Sequence, residues 1–372
     1  MRFVSVFSSL NDSIFTTPDF LESRHLPSLD GWRAVAIMLV ILGHAKLTEG
    51  MPPSIYYLLD ILVFAELGVR IFFIISGFLI TTLLIKEFNR SNRINLKLFY
   101  IRRFLRICRV YYVYLFVIIL INNYLQLEIS KETFIAAFLY ITNFQFAEGS
   151  WFTGHSWSLA VEEQFYLFWP VLFLINIRRL VFFCILILLC LPLLRVYWYY
   201  NPDYSKITLA PFLAHADALL TGCLLAALSF KSVFSCSQII WQKSYLVVFS
   251  ISLIFAITYC QSRFLYGSIM QTIGYLINNV LIGFLLLRTV IVKRSLFFCF
   301  LNNRITKRIG ALSYSLYLWQ QLFLVPKDYY YGKFAWCLFP TNILLTGLLA
   351  YFSYQYFESY FLRFKSRYSV KV

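Results

Sequence analysis

The sequence predicts an all-α polytopic membrane protein with about ten transmembrane helices and both termini cytoplasmic. Three observations carry this. The 372 residues are 60% hydrophobic and 20% aromatic but only 13% charged, whereas soluble domains run nearer half apolar and a quarter charged. Apolar runs recur from near residue 31 to near residue 357, each long enough to cross a hydrocarbon core of about 30 Å. Lysine and arginine are distributed unevenly over the loops between those runs.

The runs predict helices over 31–47, 67–86, 110–126, 157–176, 180–199, 209–229, 244–261, 270–290, 309–326 and 336–357. The first opens after Asp30, a residue suited to capping a helix or pairing with Arg33 one turn on. The second contains Ser76 and Gly77, small residues that favour close helix packing in membranes. The third is preceded by "LFYIRRFLRICRVYYVY" (Leu98 to Tyr114), where Arg102, Arg103, Arg106 and Arg109 recur at helical spacing. This predicts an amphipathic basic helix at the cytoplasmic surface that runs on into the span. The apolar segment 133–147 is short and reads as an interfacial or re-entrant piece inside a long loop. Only "NIRR" (Asn176–Arg179) separates the fourth and fifth runs, which suits a tight helical hairpin. The sixth run carries His215 and Asp217 early, on the outer side. Arg70, near an outer interface, is expected to snorkel.

The basic residues fix the orientation. Of 33 lysines and arginines, 24 fall in one alternating set of loops and 7 in the other, with Arg33 and Arg70 near or within spans. This is a strong positive-inside signal. It places both termini in the cytoplasm and requires an even number of spans. The net charge of +16 is therefore mostly topological and gives no reason to expect nucleic-acid binding. The domain reading is a cytoplasmic segment over 1–28, a transmembrane domain over 29–362 and a basic cytoplasmic tail over 363–372. No cleavable signal peptide is expected, because the first 28 residues hold charges and two prolines and lack a small-residue cleavage pattern. The eight cysteines form no CxxC pair and read as buried thiols, so neither disulfide nor metal site is expected.

Polar side chains inside the spans carry the chemistry. Arg33 and His44 are eleven positions apart. At 100° per residue they share one helix face, about 16 Å apart along the axis. Arg33 sits at the cytoplasmic mouth, where it serves as an anchor or as a ligand for a donor. His44 sits in the outer half, where an imidazole needs a polar cavity or a partner. In "GHSWSLAVEEQFYLFW" (Gly154 to Trp169), Ser158, Glu162 and Tyr166 follow one another at four-residue steps on one face. Glu162 falls at much the same depth as His44, so the two are expected to form an acid/base pair or a structural one. His155, in the same stretch, reads as a surface histidine. The arginine stripe of 102–109 suits anionic lipid headgroups and equally a phosphate-rich cytosolic ligand.

Together these stretches resemble membrane acyltransferase family 3, the bacterial inner-membrane O-acyltransferases, over about residues 28–365. The matching pieces are "LDGWRAVAIMLVILGHA" with Arg33 and His44, "GVRIFFIISGFLI", an RxxR at Arg103 and Arg106, and "HSWSLAVEEQFY" with SxxxExxxY at Ser158, Glu162 and Tyr166. "ADALLTGCLLA", "IGALSYSLYLWQQ" and "YQYFESYFLR" follow in order. The resemblance implies a multi-pass protein of the inner (plasma) membrane. It would transfer an acyl group, usually acetyl from acetyl-CoA and without a metal, to a hydroxyl of a surface glycan or lipid-linked saccharide. By the same resemblance Arg33, Arg103 and Arg106 would hold the acyl-CoA. His44 would be the base or transient acyl carrier, with Glu162 orienting it. Ser158 and Tyr166, with Asp30, would serve substrate binding. The chain departs from the family pattern at Arg70 (commonly Asp), Arg109 (Pro), His215 (Arg) and Gln320 (His). These departures bear on the acceptor and leave the three main motifs intact. Some members carry a further soluble esterase-like domain, which is not expected within these 372 residues. The competing function is a lipid-linked glycan transporter that uses a buried His–Glu proton relay. The cytoplasmic arginines argue against it, since such a transporter has no need of a CoA site.

Overall fold

The computed structural model describes residues 17–23, 26–144, 149–175, 179–201, 210–231, 233–234, 241–329, 335–361 and 363. Regular structure among these residues is all helix, with one isolated bridge between Thr48 and Pro326. The longer helices are α1 (Pro27–Ala45), α2 (Pro53–Leu62), α3 (Ala65–Ser91), α4 (Leu96–Arg106), α5 (Cys108–Leu125) and α6 (Lys131–Phe138). After a short α7 (Trp151–Gly154) come α8 (Ser156–Ile175), α9 (Leu180–Tyr200), α10 (Ala210–Phe230) and α11 (Tyr245–Ser262). Then follow α12 (Tyr275–Ile291, entered through a π turn at Met270–Gly274), α13 (Leu296–Asn302), α14 (Arg304–Phe323) and α15 (Thr341–Phe352, continued by a π turn at Ser353–Glu358).

Every predicted span meets a helix. Among the described residues seven are long and apolar enough to cross a membrane: Ser28–Ala45, Ala65–Ser91, Leu96–Leu125, Leu180–Tyr200, Phe212–Phe230, Tyr245–Ser262 and Gly267–Ile291. This is a multi-pass membrane protein. Three predicted spans fall short for reasons visible in their residues. Glu162, Glu163 and Gln164 interrupt the apolar run of α8, Arg304, Lys307 and Arg308 open α14, and α15 is only 12 residues long before its π turn. The amphipathic helix expected before the third span is α4. It breaks at Ile107 and continues as α5, and the Tyr314 hydroxyl donates to the Ile107 carbonyl (2.7 Å) exposed by that break. Residues 1–16, positions 176–178 of the hairpin link and the basic tail apart from Arg363 lie outside the described residues.

The chain divides into two compact units. The first comprises residues 1–35, 70–94 and 168–310. Close backbone approach organises it. A Cβ on Gly77 of α3 would stand 2.0 Å from the Leu219 carbonyl oxygen of α10. A Cβ on Gly222 of α10 would stand 2.1 Å from that of Ile74. This reciprocal contact is the small-residue packing read from Ser76 and Gly77. Interhelical hydrogen bonds reinforce it: Trp32 Nε1 to Thr289 Oγ1 (3.0 Å), Trp169 Nε1 to Thr81 Oγ1 (2.9 Å) and Asn278 Nδ2 to Thr258 Oγ1 (3.1 Å). Arg70 does not snorkel. It is 4% exposed and pairs with Asp217 of α10 (3.1 Å). It also donates to Asn279 Oδ1 (3.1 Å) and lies over the Tyr275 ring (4.1 Å to the centroid). Arg195 of α9 pairs with the same carboxylate (2.9 Å). A guanidinium in an apolar interior needs a carboxylate beside it, and Asp217 supplies one that an interface would not require.

The second unit comprises residues 36–69, 95–167 and 311–372. The short apolar segment expected within a loop is α6 followed by a 3-10 turn at Thr142–Phe144. It is clamped to its neighbours: the Tyr111 hydroxyl donates to the Ala137 carbonyl (3.0 Å), and Gln164 Nε2 donates to the Tyr140 carbonyl (2.7 Å) and Asn143 Oδ1 (2.9 Å). The α1–α2 connection is held by Lys46 Nζ to Asp60 Oδ1 (3.0 Å), and Asn342 Nδ2 donates to Thr48 Oγ1 (3.0 Å).

Candidate active site

His44 lies in the last turn of α1. Gly43 lets that turn approach α3, since a Cβ there would sit 2.9 Å from the Ala65 Cβ. The His44 Nδ1 stands 3.0 Å from Oε1 of Gln320 on α14. An amide oxygen can only accept, so in this arrangement Nδ1 carries the proton and Nε2 keeps its lone pair. The edge of the imidazole packs against Trp151 (centroids 5.2 Å, 73°). Trp151 is locked to α14 in turn. Its Nε1 donates to the Gln321 carbonyl (3.1 Å), and Gln321 Nε2 donates to the Trp151 carbonyl (2.6 Å).

Glu162 is not the partner of His44. Its carboxylate accepts from the Tyr166 hydroxyl one turn along α8, and the Arg103 guanidinium lies over the Tyr166 ring (4.6 Å to the centroid). Glu162 and Glu163 are both within electrostatic range of Arg103. Ser158 sits one turn nearer His155. Its hydroxyl is 2.5 Å from the Tyr317 hydroxyl and each oxygen is 3.1 Å from the His155 carbonyl oxygen, so one hydroxyl donates to the other while the second donates to that carbonyl. The SxxxExxxY face therefore carries two clusters: Ser158 with Tyr317 and His155 at one end, Glu162 with Tyr166 and Arg103 at the other. By helix rise these ends are about 12 Å apart.

The arginines fit a phosphate-bearing substrate. Arg103 and Arg106 are half-buried, Arg103 within electrostatic range of Glu162 and Glu163 and Arg106 within range of Glu358. Each has five N–H donors in a rigid fork, so donors are left for phosphate oxygens. Arg109 lies over the Phe361 ring (4.1 Å to the centroid). In the first unit, Arg33 pairs with Asp30 (3.0 Å), as the i, i+3 spacing suggested.

Four residues of the site escaped the sequence reading: Trp151, His155, Tyr317 and Gln320. Gln320, a departure expected to bear on the acceptor and not on the three main motifs, holds His44. His155, expected at the surface, is 4% exposed. It lies just outside the helices read as spanning. Burial, reinforced by the charge of His44, pushes its pKa down to about 3. An apolar cavity of about 300 Å³ adjoins this part of the second unit, lined by Ile121, Leu125, Phe152, Leu322, Val325 and Cys337 among others.

A family model described as an acyltransferase domain matches residues 26–355. The chain belongs to acyltransferase family 3. Its relatives include the O-acetyltransferase OatA of Staphylococcus aureus strain NCTC 8325 / PS 47, which is 30% identical over 370 residues. That alignment takes in 90% of this chain and 57% of OatA, and the same values hold for OatA of strain MRSA252. The chain thus spans little more than half the length of the curated relatives it matches. No solved structure matches. The match over residues 26–355 takes in His44, the RxxR pair and SxxxExxxY. The hydrogen bonds above add how this member arranges them.

Proposed function

We propose that the protein is an integral-membrane O-acyltransferase of a bacterial inner membrane, with ten spans and both termini cytoplasmic. It moves an acyl group, acetyl by analogy with OatA, from acyl-CoA to a hydroxyl of a surface glycan or lipid-linked saccharide. The observation that carries this is the state of His44. Gln320 holds Nδ1–H, which leaves Nε2 as the basic nitrogen, and membership of an acyltransferase family supports reading that base as the one that serves acyl transfer. In the proposed step the acceptor hydroxyl gives its proton to His44 Nε2 as its oxygen attacks the thioester carbonyl. A C–O bond forms, the C–S bond breaks, and the proton passes from His44 to the departing thiolate. Arg103 and Arg106 bind the phosphates of the donor. Glu162 and Tyr166 orient Arg103, and Ser158 acts through Tyr317 and the His155 backbone. Asp30 sets the Arg33 side chain. The apolar cavity supports an acceptor or donor with a hydrocarbon segment.

Mass spectrometry of surface glycans tests the reading in a deletion strain complemented with wild type or with His44→Ala. The expected result is loss of the acetyl mass increment while the glycan still reaches the surface. Loss of glycan export would instead favour a transporter, and unchanged acetylation would sink the histidine mechanism.

A further inference from the structure

His155 carries two buried ring nitrogens, Nδ1 and Nε2, and neither has a hydrogen-bond partner among the described residues. Leaving one buried polar group unsatisfied costs on the order of 1–3 kcal/mol, and an isolated core histidine would normally find an acceptor. The ring is nonetheless held firmly. It stands edge to face against Tyr114 (centroids 5.2 Å, 88°) and tilts against Tyr317 (5.6 Å, 58°). Its carbonyl oxygen lies 3.1 Å from both the Ser158 and the Tyr317 hydroxyl oxygen. The Tyr114 hydroxyl is itself bound to the Phe152 carbonyl (2.5 Å). Tyr114, Tyr317 and Ser158 thus hold the residue, while its ring nitrogens meet no hydrogen-bond partner among the described residues. This is the arrangement of a ligand-contacting group rather than a packing residue. His155 also lies within electrostatic range of His44.

Two histidines in one site divide into two roles by their partners. A general base becomes an imidazolium during reaction and needs an acceptor for its second N–H, which His44 has in Gln320 and His155 lacks. A neutral imidazole with a free N–H is suited instead to donating a hydrogen bond to an oxygen that gains negative charge. We propose that His155 is the oxyanion donor of the acyl transfer: its ring N–H bonds the acyl carbonyl oxygen while His44 takes the acceptor's proton. The inference rests on the acyltransferase reading above. Electrons from the attacking hydroxyl oxygen move onto the carbonyl oxygen, which His155 stabilises. They return as the C–S bond breaks, and His155 neither gains nor loses a proton. Its depressed pKa keeps it in the neutral form that this role requires.

The test uses inverted membrane vesicles carrying the full chain, radiolabelled acetyl-CoA and the endogenous glycan acceptor, with membrane abundance measured for each variant. His155→Phe keeps a ring of similar size but has no donor. It is expected to lower kcat about 10²–10³-fold, the loss typical for one oxyanion donor, with KM for acetyl-CoA unchanged. His155→Gln restores an N–H and is expected to recover at least tenfold of that loss, with the acid limb of the pH–rate profile where wild type has it. Wild-type kcat in His155→Phe would overturn the proposal. So would a His155→Gln variant with no recovery and no acid limb, since that is the signature of a base. Should His155→Phe fail to accumulate, the His155→Gln rate and pH profile decide alone. His44→Gln runs in parallel. If it remains active, the acyltransferase reading of His44 fails whatever the His155 variants do.

Discussion

Gln320 decides what His44 can do. With its Oε1 on Nδ1, the imidazole is held in the tautomer that presents Nε2 as a base. Gln320→Leu is expected to lower kcat by at least 10-fold, within the 10²–10⁴-fold that a general base supplies, with little change in KM for acetyl-CoA. Gln320→His, which restores the residue common in the family, should retain most of the rate. Vesicle transfer kinetics distinguish these outcomes. His155 makes a separate prediction about stability. Its folded pKa of about 3 lies below the 6.5 of an unfolded histidine, so between these values the unfolded chain binds the extra proton. Stability from this group is therefore complete above about pH 6.5 and is lost as the pH falls toward 3. Thermal melting of detergent-solubilised protein at pH 7.5 and 5 should show this loss in wild type, and His155→Phe should reduce it. His44, Glu162 and the arginines were legible because polar groups inside apolar runs stand out. Gln320 and His155 were not, because depth along a helix says nothing about which neighbour a side chain faces. Helix rise alone predicts one depth for His44 and Glu162, yet α14 supplies the partner through Gln320.

At the scale of elements, the α3–α10 crossing depends on two glycines that face each other's backbone. Gly77→Ala places a methyl 2.0 Å from the Leu219 carbonyl oxygen, closer than any relaxation of one side chain relieves. The helices must separate, and a loss of about 1–3 kcal/mol is expected for overpacking of this kind. Melting of Gly77→Ala and Gly222→Ala checks it, while Gly347→Ala, which meets nothing within 4 Å, should melt like wild type. The seven helices long and apolar enough to cross a membrane were readable because apolar runs of that length have no other stable home. The break at Ile107 was not, since a kink capped by a tyrosine from α14 is a tertiary event.

At the scale of the whole molecule, the buried Arg70–Asp217–Arg195 cluster ties α3, α9 and α10 together within the first unit. Removing its only described carboxylate in Asp217→Asn leaves two guanidiniums facing each other in an apolar interior. A loss of about 3–5 kcal/mol is expected for breaking a buried pair, read as reduced membrane abundance and melting temperature. Two departures from the family pattern, Arg70 and His215, both bear on this carboxylate: Arg70 binds it and His215 lies within electrostatic range. The proposed transmembrane orientation rests on the 24-to-7 division of basic residues, and reporter fusions at both ends test it: both are expected to read cytoplasmic. The central claim is that His44, with Nδ1 held by Gln320, is the base of an acyl transfer. The most direct measurement is label transfer from acetyl-CoA to glycan in inverted vesicles of wild type and His44→Gln at matched abundance. Transfer should occur with wild type and fall to background with His44→Gln. Equal transfer by the two proteins would contradict the account.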